Sequence, residues 1–464
     1  MKLIPTMGLE IHAELMTKSK IFCGCAVDFG GGPNTRTCPG CAAFPGTLPA
    51  LNKKAVELII KAGAVTNCEI NKLTKWDRKN YFYPDLPKAY QVSQLYAPVC
   101  VNGCIEILNN KKIRIKQIHL EEDAGKLIHD QSPKYSLADH NRGGTPLIEI
   151  VTEPDFHTAE EVCAFVEKIR LALQYADICD GKMEQGSLRC DVNISLAPEG
   201  ADYLGVRAEI KNLNSVRSIA RAIEYEIERQ TEAIEKGEKL IQQTRRFSDA
   251  SGETYAMREK ENAADYRYFP DPDIPALVIT DAERDAIFAS VPEMPEVRFE
   301  RYINEYKISE HNAKILINSK ALSDFFEDAL KEYSENPKAV SSFITTEVLA
   351  FEDLSVCAKD VGNLVKYSGT GKISRDAAKI ILREMMENEN LTLEKACEPH
   401  LIKEDLGLVD SVIDEVIANN PAVVEQYKNG EQKVFGFLMG QASKALKGAA
   451  TPAVIKETLE KKLK

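Results

Sequence analysis

The most constraining feature of this 464-residue chain is a run of alternating apolar and polar residues from Gly8 to Leu15. Read as a β-strand, the run directs its apolar side chains toward a core and Glu10, His12 and Glu14 to the opposite face. Two carboxylates and an imidazole on one face offer oxygen and nitrogen ligands to a divalent metal. The alternative is an antiparallel strand whose polar face is simply solvated.

Four further segments are rich in β-forming residues or show the same alternation, and they span residues 113–122, 147–153, 188–195 and 206–211. The first of them ends in the acidic cluster Glu121-Glu122-Asp123. The polar positions of the other three are Glu149, Glu153, Arg189, Asp191, Asn193, Ser195, Arg207, Glu209 and Lys211. Together the five segments predict one sheet with a face of paired acids and bases. Such a face suits a phosphate-bearing substrate and its metal.

Four of the 12 cysteines lie close together in a loop rich in Gly, Pro and Asn, and they are Cys23, Cys25, Cys38 and Cys41. The pattern C-x-C, twelve intervening residues and C-x-x-C is typical of a tetrahedral zinc site. Because a four-thiolate site leaves no open coordination position, the predicted zinc is structural. The alternative is a group of four unligated thiols.

Composition and charge bear on where the protein acts and on whether it binds nucleic acid. A hydrophobic content of 44%, the lack of an 18-residue apolar run and the lack of a signal-like N-terminus predict a cytoplasmic protein without a membrane span. The net charge of -12 argues against broad nonspecific binding to nucleic acid. From residue 433 onward, however, seven lysines outnumber Glu457 and Glu460 and give a net charge of +5. This basic tail indicates either a polyanion-binding patch or a solvated helix.

The strand-like runs stop before the Pro-rich segment from Val291 to Pro295. The predicted fold class is therefore α+β. An antiparallel-sheet-based domain over residues 1–293 is followed by an all-helical domain over 294–406 and a small helical tail domain over 407–464. Helices are predicted at about 51–67, 159–175, 218–236, 421–427 and 430–447, from apolar residues at helical spacing. In the last of these, Gly436 and Gly440 share a face that would permit close approach of another backbone, and the alternative is ordinary helix packing.

Two loops, residues 76–91 and 265–272, mix basic and aromatic side chains. The functional interpretation of the first loop, residues 76–91, is a substrate loop, with cations for phosphate and rings for a base or ribose. The alternative for this loop is a surface turn that packs through its aromatic residues.

Taken together, a set of motifs resembles the B subunit of the bacterial and archaeal aminoacyl-tRNA amidotransferases, over essentially the whole chain. The motifs are GLEIHAEL (8–15), CGC and CPGC (23–41), DRKNYFYPDLPKAYQ (77–91), HLEEDAGK (119–126), NRGGTPLIEIVTEPD (141–155), MEQGSLRCDVNIS (183–195), EIKNLNS (209–215), DYRYFPDPD (265–273) and VFGFLMGQ (434–441). The resemblance implies a cradle-like N-terminal domain, a helical domain and a helical tail that binds tRNA.

The resemblance also implies an activity. Members of this family use ATP and Mg²⁺ to phosphorylate the side-chain carboxylate of mischarged Glu-tRNA(Gln), Asp-tRNA(Asn) or both, and ammonia then displaces the phosphate. The implied partners are an amidase (the A subunit), which releases the ammonia from glutamine, the small C subunit, and mischarged tRNA(Gln) or tRNA(Asn). The zinc of the cysteine loop would be structural in this family.

The resemblance places Mg²⁺ ligands at Glu10, His12 and Glu122, with Glu149 as a further candidate. Lys79 is predicted to contact phosphate, with Arg189 and Lys211 as helpers. From strand phase alone, Glu153 and Asp191 complete the polar face or guide ammonia.

Two other functions stay open from the residues themselves. The first is an ATP-dependent carboxylate–amine ligase for a small molecule, in which the basic tail would have no role. The second is a non-catalytic, zinc-containing RNA-binding protein with a merely solvated acidic face.

Overall fold

The computed structural model describes residues 2–28, 30–129, 135–259, 266–351, 354–388, 390–402, 406–428, 431–446 and 450–463. The chain forms two compact units, residues 1–295 and 296–464. The predicted α+β class is confirmed, because every strand in these ranges lies before residue 279 and helices follow. A further division of the second unit at residue 406 stays a prediction, and it adjoins residues 403–405, which lie outside the described residues.

The first unit is built from strands with three long helices. Its strands are β1 (Leu3–Glu14), β2 (Glu69–Ile70), β3 (Leu73–Thr74), β4 (Asp77–Asn80), β5 (Tyr90–Ser93), β6 (Cys100–Glu106), β7 (Lys112–Glu122), β8 (Lys126–His129), β9 (Ser136–Asp139), β10 (Pro146–Thr152), β11 (Leu188–Pro198), β12 (Ala208–Lys211), β13 (Gln243–Ser248), β14 (Glu253–Glu259), β15 (Phe269–Pro270) and β16 (Leu277–Val278). Its helices are α1 (Lys53–Val65), α2 (Ala159–Tyr175), α3 (Val216–Glu235) and the shorter α4 (Asp281–Ala289). The three long helices lie within a few residues of their predicted positions.

A nine-stranded sheet organises this unit, in the order β14-β13-β12-β11-β1-β10-β7-β6-β2. The five segments that the sequence predicted to share a sheet are neighbours in it: β12, β11, β1, β10 and β7. Adjacent strands are antiparallel except β12 and β13, which are parallel. Helix α3 lies between these two strands in the chain, and such a crossover returns the chain in the same direction.

The alternation in β1 separates the two faces of the sheet. Leu9, Ile11 and Ala13 are at most 1% exposed and belong to a core cluster that also contains residues of α1, α2 and α3. Because successive side chains of a strand point to opposite faces, burial of these residues directs Glu10, His12 and Glu14 to the other face. We call this second face the polar face.

The second unit is helical throughout its described part. Its helices are α5 (Pro295–Asn304, which begins at the boundary), α6 (Glu310–Ile317), α7 (Lys320–Glu332), α8 (Pro337–Thr346), α9 (Ala358–Gly369), α10 (Arg375–Glu387), α11 (Leu393–Cys397), α12 (Leu406–Asn419), α13 (Pro421–Lys428), α14 (Phe435–Leu446) and α15 (Pro452–Leu463). The buried apolar residues form two clusters, one from Tyr302 to Cys397 and one from Val409 to Leu463. The predicted helices at 421–427 and 430–447 correspond to α13 and α14.

Two helical glycines of this unit have opposite surroundings. A Cβ built on Gly362 of α9 would collide with the carbonyl oxygen of Ala329 in α7, whereas a Cβ built on Gly440 of α14 meets nothing within 4 Å among the described residues. The same is true at Gly436, so the close backbone approach expected at 436 and 440 is not found in the described part of the chain.

These surroundings give a stability prediction. Gly362→Ala is expected to lower the free energy of unfolding by about 1–3 kcal/mol, because the helices must move apart. Gly440→Ala is the matched control and is expected to raise it by up to about 1 kcal/mol, because alanine has the higher helix propensity. Urea denaturation followed by far-ultraviolet circular dichroism measures both. Equal effects of the two substitutions would contradict the packing described for Gly362.

Candidate metal-dependent active site

Three adjacent strands bring an imidazole and two carboxylates together on the polar face. The register places His12 of β1 opposite Glu149 of β10, and Glu149 opposite His119 of β7, with Glu121 two residues further along β7. The Nε2 atom of His12 lies 3.6 Å from Oε1 of Glu121 and 3.5 Å from Oε2 of Glu149. One ligand atom from each of these three residues lies within 4.8 Å of the others. One nitrogen and two carboxylate oxygens fit a divalent cation and leave coordination positions free for substrate.

His119 lies next to both carboxylates of this group and lowers their pKa values. Its Nε2 atom is 3.0 Å from Oε2 of Glu149 and 3.5 Å from Oε2 of Glu121. Burial alone would lower the pKa of His119, but the two carboxylates outweigh it and raise the pKa to about 10. Burial likewise opposes ionisation of Glu149, yet His119 and His12 hold the pKa of Glu149 well below its usual range. Burial also opposes ionisation of Glu121, but the hydrogen bond from His119 helps to lower the pKa of Glu121 below its ordinary value. Both carboxylates therefore stay ionised at neutral pH and can bind a cation.

A second acidic group lies beside the first, on β1, β11 and β12. Ligand atoms of Glu10, Asp191 and Glu209 lie within 4.8 Å of one another. Lys211 neutralises part of this charge, with Nζ 2.5 Å from Oδ2 of Asp191 and 3.0 Å from Oε1 of Glu209. Asn193 donates a hydrogen bond to Glu10, yet burial and the nearby carboxylates raise the pKa of Glu10 above its ordinary value. Glu10 is therefore easier to protonate than an exposed carboxylate.

Residues of both groups line one cavity of about 550 Å³: His12 and Glu149 of the first group, and Glu10 and Glu209 of the second. Its other walls include Lys79, Arg207, Asn193, Thr244, Met257 and Tyr266. The Nζ atom of Lys79 lies 5.0 Å from the ring centre of Tyr266 and 6.0 Å from that of Tyr81. A cavity with an ammonium group on one wall and a carboxylate cluster on another suits a phosphate-bearing ligand together with its metal.

Most of the predicted site residues meet in this cavity. The structure brings together Glu10, His12, Lys79, Glu149 and Lys211, and it places Asp191 against Lys211. Arg189 is opposite His12 in the register, but its guanidinium lies 3.2 Å from Asp123 and does not line the cavity. Glu153 lines a neighbouring cavity of about 280 Å³. Asp265, at the start of the DYRYFPDPD motif, lies outside the described residues.

Glu122 lies apart from the proposed ligands. Its carboxylate accepts a hydrogen bond from the backbone N–H of Val92 and lies 2.6 Å from Nζ of Lys88. It lines a different cavity, of about 350 Å³, beside the cysteine loop. The structure brings Glu121 to His12 and Glu149 instead, because Glu121 shares the strand phase of His119 and the next residue faces the other way. The phase of the β7 segment is the sequence signal that distinguishes the two glutamates.

The four cysteines of the loop converge as their spacing predicts. Their sulfur atoms all lie within 4.8 Å of one another. The backbone N–H of Cys38 donates to Sγ of Cys41 at 3.1 Å, and a hydrogen bond from the Cys23 thiol lowers the pKa of Cys41 to about 4. Four soft sulfur donors at this separation fit a tetrahedral metal such as zinc. The cluster borders the cavity of Glu122 through Cys23 and Cys41 and contributes no residue to the lining of the 550 Å³ cavity.

The basic residues of the tail are partly paired. Lys462 contacts Asp410 and Asp414, and Lys456 lies 3.8 Å from Glu460. Lys433, Lys444 and Lys461 are also described, whereas Lys447 and Lys464 lie outside the described residues. No helix in the described ranges combines the length and apolarity that crossing a membrane would require.

Comparison with known proteins agrees with this architecture. A family model described as the GatB/GatE catalytic domain matches residues 5–285, and one described as the GatB domain matches residues 324–463. The chain is 50% identical to the B subunit of the aspartyl/glutamyl-tRNA(Asn/Gln) amidotransferase of Ruminiclostridium cellulolyticum, over 100% of this chain and 98% of that protein. It is 47% identical to the same subunit of Caldicellulosiruptor bescii, over 98% of each chain. It is 44% identical to that of Brevibacillus brevis, again over 98% of each. The chain therefore belongs to the family of aspartyl/glutamyl-tRNA(Asn/Gln) amidotransferase B subunits.

Proposed function

We propose that this chain is the activating subunit of a tRNA-dependent amidotransferase. It uses ATP to phosphorylate the side-chain carboxylate of mischarged Glu-tRNA(Gln), Asp-tRNA(Asn) or both, and ammonia then replaces the phosphate. The observation that carries the proposal is the group of His12, Glu121 and Glu149, two members of which, His12 and Glu149, line a cavity of about 550 Å³ together with Lys79. Family membership supports the same reaction.

The chemistry explains why these residue types are needed. A carboxylate is a poor acyl donor, and phosphorylation converts one of its oxygens into part of a good leaving group. His12, Glu121 and Glu149 would hold Mg²⁺, which when bound neutralises phosphate charge. Lys79 supplies a further positive charge for phosphate oxygens, and His119 keeps the two carboxylates ionised and in place. Glu10, with its raised pKa, is suited to accept a proton from the attacking ammonia.

The four cysteines would hold a structural Zn²⁺, and the tail of residues 407–464 would contact tRNA through its lysines. The partners in this proposal are an amidase (the A subunit), which supplies ammonia from glutamine, and the small C subunit. The names of the relatives support such an assembly, because each is named as the B subunit of an amidotransferase.

The test is a reconstitution of this chain with its amidase and small partner subunits. With mischarged tRNA, glutamine, ATP and Mg²⁺, we expect one ADP to form for each amide on the tRNA, with free aspartate and glutamate inactive as substrates. Ammonium in place of glutamine should support the same ATP-dependent reaction. Amide formation without ATP hydrolysis, or equal activity on the free amino acids, would contradict the proposal.

A further inference from the structure

Lys20 is a buried cation that has no carboxylate beside it in the part of the chain that the structure describes. Its residue exposure is only 1%. The ammonium lies 3.8 Å from Sγ of Cys41 and donates a hydrogen bond to the carbonyl oxygen of His140 at 3.0 Å. Among the described residues, no carboxylate oxygen lies within 4.0 Å of it. A buried ammonium needs a compensating negative charge, and the nearest source of one is the cysteine cluster.

The charge of an occupied cluster matches this need. Four thiolates around one divalent ion carry a net charge of about −2, so a cation in direct contact with a ligand sulfur stabilises the loaded site. The same ammonium also contacts the segment of residues 138–145, which consists of the last two residues of β9 and the residues that lead to β10, and which we call the linking segment. Lys20 therefore touches both the metal-binding loop and the chain that leads to Glu149.

The cysteine loop and the linking segment are joined by several other hydrogen bonds. Asn34 of the loop bonds through its backbone N–H to Asp139, through its amide nitrogen to the carbonyl of Ala138, and through its amide oxygen to the N–H of His140. The N–H of Arg36 donates to Asn141, whose amide nitrogen donates to the carbonyl of Gly32. All these distances are between 2.7 and 3.0 Å.

On its other side the linking segment holds the ends of two strands of the polar face. The N–H of Gly144 donates to the carbonyl of Asp123, and the N–H of Asp123 donates to the carbonyl of Thr145. Asp123 follows the end of β7, which carries Glu121, and Thr145 precedes β10, which carries Glu149. The linking segment is thus fixed between the cysteine loop and the two strands that supply the carboxylates.

From these contacts we propose that the cysteine loop, through Lys20, positions the carboxylates of the polar face. Metal at the four cysteines orders the loop, Lys20 compensates the charge of the loaded cluster, and the loop in turn fixes the linking segment that aligns Glu121 with Glu149. Lys20 is a positioning residue in this scheme. The inference rests on the proposed zinc occupancy of the cysteines, and it is independent of the proposed reaction.

The test uses the full-length chain and two readouts other than activity. The first is the rate at which zinc transfers to a coloured chelator, and the second is hydrogen exchange of the linking segment. For Lys20→Met we expect zinc release to accelerate by about ten-fold or more and exchange in residues 138–145 to rise. Lys20→Arg keeps the positive charge, so its rate of zinc release should lie close to the wild-type rate. Lys18→Met is the matched control, because Lys18 is exposed, and it should behave as wild type.

Removal of zinc from the wild-type chain provides a second test that needs no substitution at Lys20. We expect the zinc-free chain to lose exchange protection in residues 138–145 while helix α2 keeps its protection. The proposal is overturned if purified wild-type chain holds no zinc, if zinc removal leaves protection of the linking segment unchanged, or if Lys20→Met releases zinc at the wild-type rate. None of these outcomes depends on whether the chain amidates tRNA. Failure of this inference can therefore be distinguished from failure of the proposed reaction.

Discussion

Glu149→Gln is expected to reduce ATP-dependent amide formation by roughly 100-fold or more, which corresponds to about 2.7 kcal/mol of lost transition-state stabilisation. Glutamine keeps the shape of the side chain but removes the negative charge that faces His12 and His119. The loss follows because a cation bound there would lose an anionic ligand, and the charged His119 would lose a counter-ion.

The measurement is the initial rate of amide formation in the reconstituted complex at saturating ATP and mischarged tRNA. Glu160→Gln, on the exposed first turn of α2, is the matched control and should retain the wild-type rate. If the Glu149→Gln rate is within about three-fold of the wild-type rate, the change in activation free energy is well under the 1.4 kcal/mol of a ten-fold effect. That result would show that Glu149 is not part of the active site.

Glu226→Gln is expected to lower the free energy of unfolding of the first unit by about 3–5 kcal/mol, because it breaks a buried charge pair and leaves the other charge uncompensated. Glu226 is 0% exposed in α3, with Oε1 2.7 Å from Nε of Arg245 and Oε2 2.9 Å from Nη2 of Arg229. It also accepts hydrogen bonds from Thr254 and Gln230. Through Arg245 and Thr254, Glu226 connects α3 to strands β13 and β14.

The single tryptophan gives a clean measurement of this effect. Trp76 is fully buried in the first unit, so its fluorescence during urea denaturation reports the unfolding of that unit. Glu228→Gln changes an exposed residue of the same helix and should shift the midpoint little. If both substitutions change the midpoint equally, the buried network does not stabilise the fold.

The stabilisation by Glu226 should also depend on pH. Burial alone would raise the pKa of Glu226, but Arg229, Thr254 and Arg245 outweigh it and hold the pKa below its ordinary value of 4.5. A carboxyl whose pKa is lowered by folding stabilises the fold above its unfolded pKa, and that stability is lost as the pH falls through the folded value. The difference in unfolding free energy between wild type and Glu226→Gln should therefore be constant above about pH 5 and shrink below it. A difference that grows on acidification would contradict a stabilising role for the ionised carboxylate.

The sequence predicts the polar face well because strand periodicity is a local property. Alternation in residues 8–15 and 188–195 determines which side chains face the core, and the five predicted strands are neighbours in the sheet. The parallel pairing of β12 with β13 was not predicted, because it depends on the path of α3 and on contacts distant in sequence. The cysteine spacing, by contrast, was enough to predict the convergence of the four sulfur atoms.

Within the candidate site, the main difference concerns two adjacent glutamates. The resemblance to the family pointed to Glu122, whereas the structure places Glu121 with His12 and Glu149, and Glu122 with Lys88. A motif identifies the segment that matters but not the face to which each of two neighbours points. His119 begins the HLEEDAGK motif but is not singled out from the sequence, because its contact with Glu149 depends on the pairing of β7 with β10.

The most direct test of the proposed metal site is a titration of the full-length chain with Mn²⁺ in place of Mg²⁺, followed by electron paramagnetic resonance, for wild type, Glu121→Gln and Glu122→Gln. We expect Glu121→Gln to weaken Mn²⁺ binding by about ten-fold or more, while Glu122→Gln, which removes the partner of Lys88, leaves the affinity close to wild type. Loss of binding in Glu122→Gln with wild-type binding in Glu121→Gln would contradict the proposed site, and would place the metal on the other side of β7.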